Sequence, residues 1–228
     1  MPETLARPHT REHGSLLAPC EKRALIWLAE RLPAWVTSDH LTGLALVAML
    51  VAGLAYWAAS RMPGALLVVV LGLAVNWFGD SLDGTLARVR NQQRPRYGFY
   101  VDHVLDLFGT AFLLGGLGLS GYMSPLVAMG LLAAYLMTSA EVYLATHACG
   151  VFRISMWKIG PTELRIFLAI GTVYLLFKPW VEVRGHPYRL FDVGGVIAIA
   201  GMAVAMLRST VRNTVALYRA EPMPGSTR

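Results

Sequence analysis

Apolar residues fall in long blocks along the chain, and each block can be measured against the roughly 20 residues that a helix needs to cross a bilayer. Residues 41–59 carry no charge and qualify. Residues 64–79 are also uncharged, and the helical pattern continues through an acidic stretch to Arg88. A basic turn, 88–96, leads to a third block at 98–119, which Gly121, Ser124 and Pro125 interrupt; a fourth covers 125–147. A fifth begins near Gly160 and ends by Pro179, with a strictly uncharged part of only 166–177. The sixth covers 191–207 and extends as a helix toward Tyr218. Ahead of these, residues 1–38 are polar and mixed in charge and have no compact apolar core, so no cleaved leader is expected. Within them Leu25, Ile26, Leu28, Ala29, Leu32 and Trp35 recur at helical spacing beside Lys22, Arg23 and Arg31. That pattern suits an amphipathic helix, lying in the membrane interface or packed on the protein's own surface. The expected fold is therefore all-α and polytopic: a 1–38 arm, a six-helix membrane domain over 39–218 and a short tail over 219–228.

Composition agrees with the bilayer. Of 228 residues, 55% are hydrophobic and only 15% charged, where a soluble globule carries about 25%. The formal charge of +6 would point to nucleic acid on a soluble protein; here it reads as topology, because basic residues gather in cytoplasmic loops. Six spans place both termini on one side. That side then holds 16 of the 20 Lys and Arg, and Arg61, Lys178, Arg184 and Arg189 fall on the other. Both termini and the 88–96 turn are expected in the cytoplasm, at the inner membrane if the source is bacterial. Cys20 and Cys149 have no metal-ligand spacing, which excludes a zinc module or a disulfide framework.

Four of the six aspartates, Asp80, Asp83, Asp102 and Asp106, fall within 27 residues at the ends of two consecutive spans. Asp80 and Asp83 share a helix face at i, i+3, while Gly98, Asp102 and Asp106 follow i, i+4, i+8 on the next helix. An Asp near the bilayer centre costs about 2.5 to 3.5 kcal/mol on insertion scales, less near the interface. An isolated one at a helix end is often a solvated group, but four on two facing stripes call for a neutralising partner. Two divalent cations would supply it, and hard carboxylate oxygens suit Mg²⁺ or Mn²⁺, with phosphate completing the coordination. Gly84 and Ala87 leave the surface beside Asp83 without bulk, Gly98 does the same on the opposing helix, and Arg88 lies one turn beyond Gly84, within reach of a phosphate.

The string Asp80, Asp83-Gly84, Ala87-Arg88, Gly98, Asp102, Asp106 resembles the signature of the CDP-alcohol phosphotransferase family, D-x-x-D-G-x-x-A-R-x8-G-x-x-x-D-x-x-x-D. All eight specified residues are present, with nine rather than eight residues between Arg88 and Gly98. The resemblance implies transfer of a substituted phosphate from a CDP-linked donor to an alcohol or lipid acceptor, with release of CMP. It implies that Asp80, Asp83 and Asp102 bind metal and CDP, and that Asp106 is a metal ligand or the general base. It also implies that Gly84, Ala87, Arg88 and Gly98 border the CDP moiety. A homodimer is implied as well, with Gly115, Gly116, Gly118 and Gly121 as candidate close-approach residues.

His103, directly after the third aspartate, is similar to the choline/ethanolamine phosphotransferase branch, where that histidine is a candidate base. Glu141, Tyr143, Thr146, Gly150, Arg153 and Gly160-Pro161-Thr162-Glu163 extend the likeness, and Glu141, Arg153 and Glu163 are candidate head-group or acceptor contacts. Pro161 and Glu163 also suit a plain helix start. Donor and acceptor stay open between CDP-diacylglycerol with a polar alcohol and a CDP-amino-alcohol with diacylglycerol. A divalent-cation carrier is the competing function. It would place acids near the membrane midplane on broken helices, whereas these lie near one face beside Arg88, Arg90, Arg94 and Arg96. A structural anchor leaves the aspartates unexplained, and nucleic acid is not an expected partner.

Overall fold

The computed structural model describes residues 10–12, 18–149, 151–153 and 161–221, with side chains described over 21–149 and 161–221. These form seven helices: α1 (Ala18–Arg31), α2 (Ser38–Ala59), α3 (Ala65–Val89), α4 (Pro95–Leu119), α5 (Pro125–Cys149), α6 (Pro161–Leu175) and α7 (Leu190–Ala220). Two small sheets accompany them. β1 (Thr10–Glu12) pairs in parallel with β2 (Val151–Arg153), and β3 (Trp180–Val183) forms an antiparallel hairpin with β4 (His186–Arg189). The hairpin turns on Arg184 and Gly185, both at positive φ (53° and 81°), the two-residue turn whose twist matches the strands. An all-helical reading misses it, because a ten-residue connection carries no helical periodicity to judge.

Five helices, α2, α3, α4, α5 and α7, are long and apolar enough to cross a membrane. α6, expected as the fifth of six spans, has 15 residues. That is about 22 Å of helix against roughly 30 Å of hydrocarbon. Five spans rather than six therefore meet the length and hydropathy of a crossing among the described residues. α6 nevertheless lies along the bundle. Arg165, in its second turn, meets α3 at Asp80, while Thr172 hydrogen-bonds Tyr56 (2.5 Å) close to the C-terminus of α2.

α2 is central because most of its buried face is alanine. Ala45, Ala48, Ala52, Ala55 and Ala59 form a stripe that α3 and α4 approach closely. Glycines complete the approach. A Cβ on Gly79 would stand 2.5 Å from Leu41 O, and one on Gly116 would collide with the backbone of Gly53. α5 packs on α4 and α7, and α6 on α3. Tyr56, Leu66, Leu82, Leu86 and Leu117 are fully buried between these helices.

α1 docks on α3. Its Leu25 and Ala29 are buried against Leu82 and Leu86, and Trp27 stays exposed. A polar clasp reinforces this contact: Glu21 accepts from Trp77 Nε1 (2.8 Å) and Ser81 Oγ (3.3 Å) on α3, and from Thr162 Oγ1 (2.8 Å) on α6. The α3–α4 turn is equally well specified. Gln92 N donates to Ala87 O and Asn91 N to Arg88 O, with Asn91 at φ 54°, a left-handed helix end that asparagine tolerates. Pro95 then opens α4.

Candidate active site

The end of α3 and the first half of α4 bring three carboxylates together. Asp80, Asp102 and Asp106 each offer an oxygen within 4.8 Å of the others, and all three are half-buried. Oxygens so spaced, all anionic and hard, fit the ligand set of a divalent cation such as Mg²⁺ or Mn²⁺. Asp83, one turn along α3, is held by α2: Thr42 Oγ1 donates to its Oδ2 at 2.6 Å, Ser38 Oγ donates to its backbone carbonyl at 2.8 Å, and Oδ1 accepts from Gly84 N. α2 thus fixes the rotamer of an acid that the motif places on α3. Ser38 and Thr42 lie more than 40 residues from Asp83 in the chain.

The glycines separate into two kinds. Gly53, Gly79 and Gly116 are required by neighbouring backbone. Gly84 and Gly98 are not: among the described residues a Cβ at Gly98 would meet nothing within 4 Å, and one at Gly84 only Arg88 Nη1 at 3.5 Å. Internal packing does not explain these two, and they flank the carboxylates together with half-buried Ala87. The glycines at the end of α4 behave differently from the expectation of a contact between protomers. Gly116 and Gly118 approach Gly53 and Ala128 of the same chain, and Gly121 serves a turn at φ 81°.

Arg88 is exposed, and its Nη2 donates to Thr85 Oγ1 at 3.0 Å. Arg90 and Arg94, expected to favour a phosphate, have structural partners. The Arg90 guanidinium donates to the carbonyls of Leu32, Pro33 and Val36 (2.5–3.0 Å), locking the α1–α2 connection, and Arg94 pairs with Asp39 at 2.5 Å. Those two arginines are thus engaged within the fold and do not weigh between a phosphate site and a cation path.

His103 stacks on Phe99 (ring centroids 4.2 Å) and meets Tyr143 of α5 edge-on (5.3 Å). Its Nδ1 lies 2.7 Å from Phe99 O and 3.5 Å from Asp102 Oδ2. A carbonyl only accepts, so Nδ1 carries the proton in the neutral ring and Nε2 is the acceptor. Glu141 accepts from Asn213 Nδ2 of α7 at 3.2 Å, and Glu163 is half-buried in the first turn of α6. The side chain of Arg153 and the residues Gly150 and Gly160 lie outside the described residues.

The cluster also carries a cation that no motif in the sequence points to. Arg165 of α6 donates from Nη2 to Asp80 Oδ2 at 2.6 Å and from Nε to Asn76 Oδ1 at 2.7 Å. The only sequence signal for it was an arginine standing two residues after Glu163, at the start of an apolar run.

The sequence profile of the CDP-alcohol phosphatidyltransferase family matches residues 35–210. Cholinephosphotransferase 1 of Danio rerio is 28% identical over 189 residues, which cover 75% of this chain and 48% of that protein. The chain thus spans about half the length of this curated relative.

Proposed function

The chain belongs to the CDP-alcohol phosphatidyltransferase family, and we propose that it transfers a substituted phosphate from a CDP-linked donor to an alcohol or lipid acceptor, releasing CMP, in phospholipid synthesis. The observation that carries this reading is the convergence of Asp80, Asp102 and Asp106 within 4.8 Å across two helices, beside a face left open by Gly84 and Gly98. Asp80, Asp83, Asp102 and Asp106 would hold two divalent cations, Mg²⁺ or Mn²⁺. Bound there, such ions supply charge neutralisation of the diphosphate and of the departing CMP. The protein's own groups do the rest. Gly84, Ala87 and Gly98 let the CDP moiety lie against the helix backbones, and Arg88 reaches its phosphate from the end of α3.

His103 takes the proton of the attacking hydroxyl at Nε2. Its Nδ1 is committed to Phe99 O, and the stacking on Phe99 together with the edge contact to Tyr143 fixes the ring plane. Asp106, the other candidate, belongs to the close carboxylate group and is better used as a ligand. The His103 position and the similarity to a cholinephosphotransferase favour a CDP-amino-alcohol donor with a diacylglycerol acceptor over CDP-diacylglycerol with a polar alcohol. Glu141, Arg153 and Glu163 remain candidate contacts for the head group or acceptor; of these, Glu141 is oriented by Asn213.

We further propose six crossings, with α6 as a short one, and both termini and the site in the cytoplasm. The homodimer is retained as a proposal, with exposed Gly115 rather than Gly116 or Gly118 at the contact. A panel of CDP-choline, CDP-ethanolamine and CDP-diacylglycerol, each with diacylglycerol or a polar alcohol, tests the substrate reading in detergent. CMP release with diacylglycerol and a CDP-amino-alcohol is expected. CMP release only from CDP-diacylglycerol would overturn the donor assignment.

A further inference from the structure

Arg165 is attached to the carboxylate cluster through two acceptors of different kinds. Asp80 is an acid that a cation would also use, whereas Asn76 is neutral and only 4% exposed. The Asn76 amide cannot turn away, because its Nδ2 donates to Ala45 O of α2 at 3.1 Å, which leaves Oδ1 facing Arg165. Asn76 and Asp80 stand one turn apart on the same face of α3. The guanidinium is therefore held by Nε whatever happens at Asp80, and both partners of the ion pair are mostly buried, at 17% and 19% exposure.

We propose that Arg165 is a positioning residue: a fixed positive charge that weakens the hold of the carboxylate cluster on divalent cations and so makes full loading depend on the donor's diphosphate. This rests on the two-cation reading above. The charge count gives the reason. The four aspartates and Arg165, taken as a group, carry −3; a first divalent cation leaves that group at −1, and a second would bring it to +1. The second cation is then favoured only together with an anion, and a diphosphate is one. Without Arg165, two cations would bring the cluster to neutrality with no nucleotide present.

The test is Mn²⁺ binding to the detergent-purified chain, read by the loss of free-ion paramagnetic signal, with and without CDP. In the wild type, CDP should tighten Mn²⁺ binding. Arg165→Gln should bind Mn²⁺ about tenfold more tightly or better without nucleotide, and CDP should add little further. Arg165→Lys keeps the charge, so its Mn²⁺ affinity should stay near the wild-type value, whereas Arg165→Met removes the charge but keeps an apolar stem and should tighten binding as the glutamine variant does, which preserves the test if that variant does not fold. Affinity at or below the wild-type value in the charge-removing variants that fold, or an undiminished effect of CDP in them, would overturn the proposal. CMP release by the wild type with no Mn²⁺ shift in the variants would sink this role alone. The shift without CMP release from any donor would sink the transferase reading and leave the charge role standing. A wild type that binds no Mn²⁺ would end both.

Discussion

At the residue scale, the four aspartates were legible because helical spacing alone puts Asp80 and Asp83 on one face and Asp102 and Asp106 on another. The residues that hold them were not. Thr42 and Ser38 reach Asp83 across 41 and 45 positions, and Arg165 reaches Asp80 across 85, so no local pattern announces them. The proposed roles are separable by substitution. Asp80→Asn or Asp102→Asn should reduce transfer at least about 10³-fold while the protein still folds in the membrane, because each removes charge from the cation site without changing side-chain volume. Near wild-type turnover in both would defeat that site. His103→Ala should lower turnover by about 10² to 10⁴ and leave nucleotide binding nearly intact, since the imidazole is not needed to hold a cation. Turnover within a few-fold of wild type across a pH series would remove His103 as the base, and with it much of the case for an amino-alcohol donor.

Among the elements, the long apolar helices could be read from hydropathy, while α6 and the β3–β4 hairpin could not be resolved in the same way. Glu163 and Arg165 shorten the uncharged part of α6, yet Arg165 serves it: the charge that weakens its membrane signal ties it to Asp80 and Asn76 of α3. The basic turn shows the opposite error. Arg90 and Arg94 look like phosphate ligands when counted as charges, and the fold uses them to brace the α1–α2 connection and Asp39. Glycine roles also depend on neighbours. Gly116→Val should cost about 3 kcal/mol or more of stability, because added carbons must displace the Gly53 backbone. Gly98→Val should fold normally, since no described residue comes within 4 Å of a Cβ there, and should raise KM for the CDP donor. Thermal melting of both variants in detergent, with KM for the second, checks the contrast. A stable Gly116→Val, or an unchanged KM in Gly98→Val, would contradict these assignments.

For the whole molecule, the arrangement is a bundle centred on the alanine face of α2, with the carboxylates at one end and the Tyr56–Thr172 contact at the other. The proposed six crossings, with α6 as a short one, put the β3–β4 hairpin and the α3–α4 turn on opposite sides of the membrane. Single cysteines introduced beside Arg184 and beside Arg94 would report this: labelling of intact cells from outside should reach the first and not the second. Labelling of both, or the reverse, would refute the proposed topology. The central claim, a cation-dependent transferase, is tested most directly by CMP release from a CDP-alcohol in the presence of diacylglycerol, with the purified protein first chelated and then given Mg²⁺ or Mn²⁺. The account predicts no release after chelation, recovery on adding either ion, and no recovery in Asp80→Asn; release that persists through chelation, or an equal rate in Asp80→Asn, would contradict it.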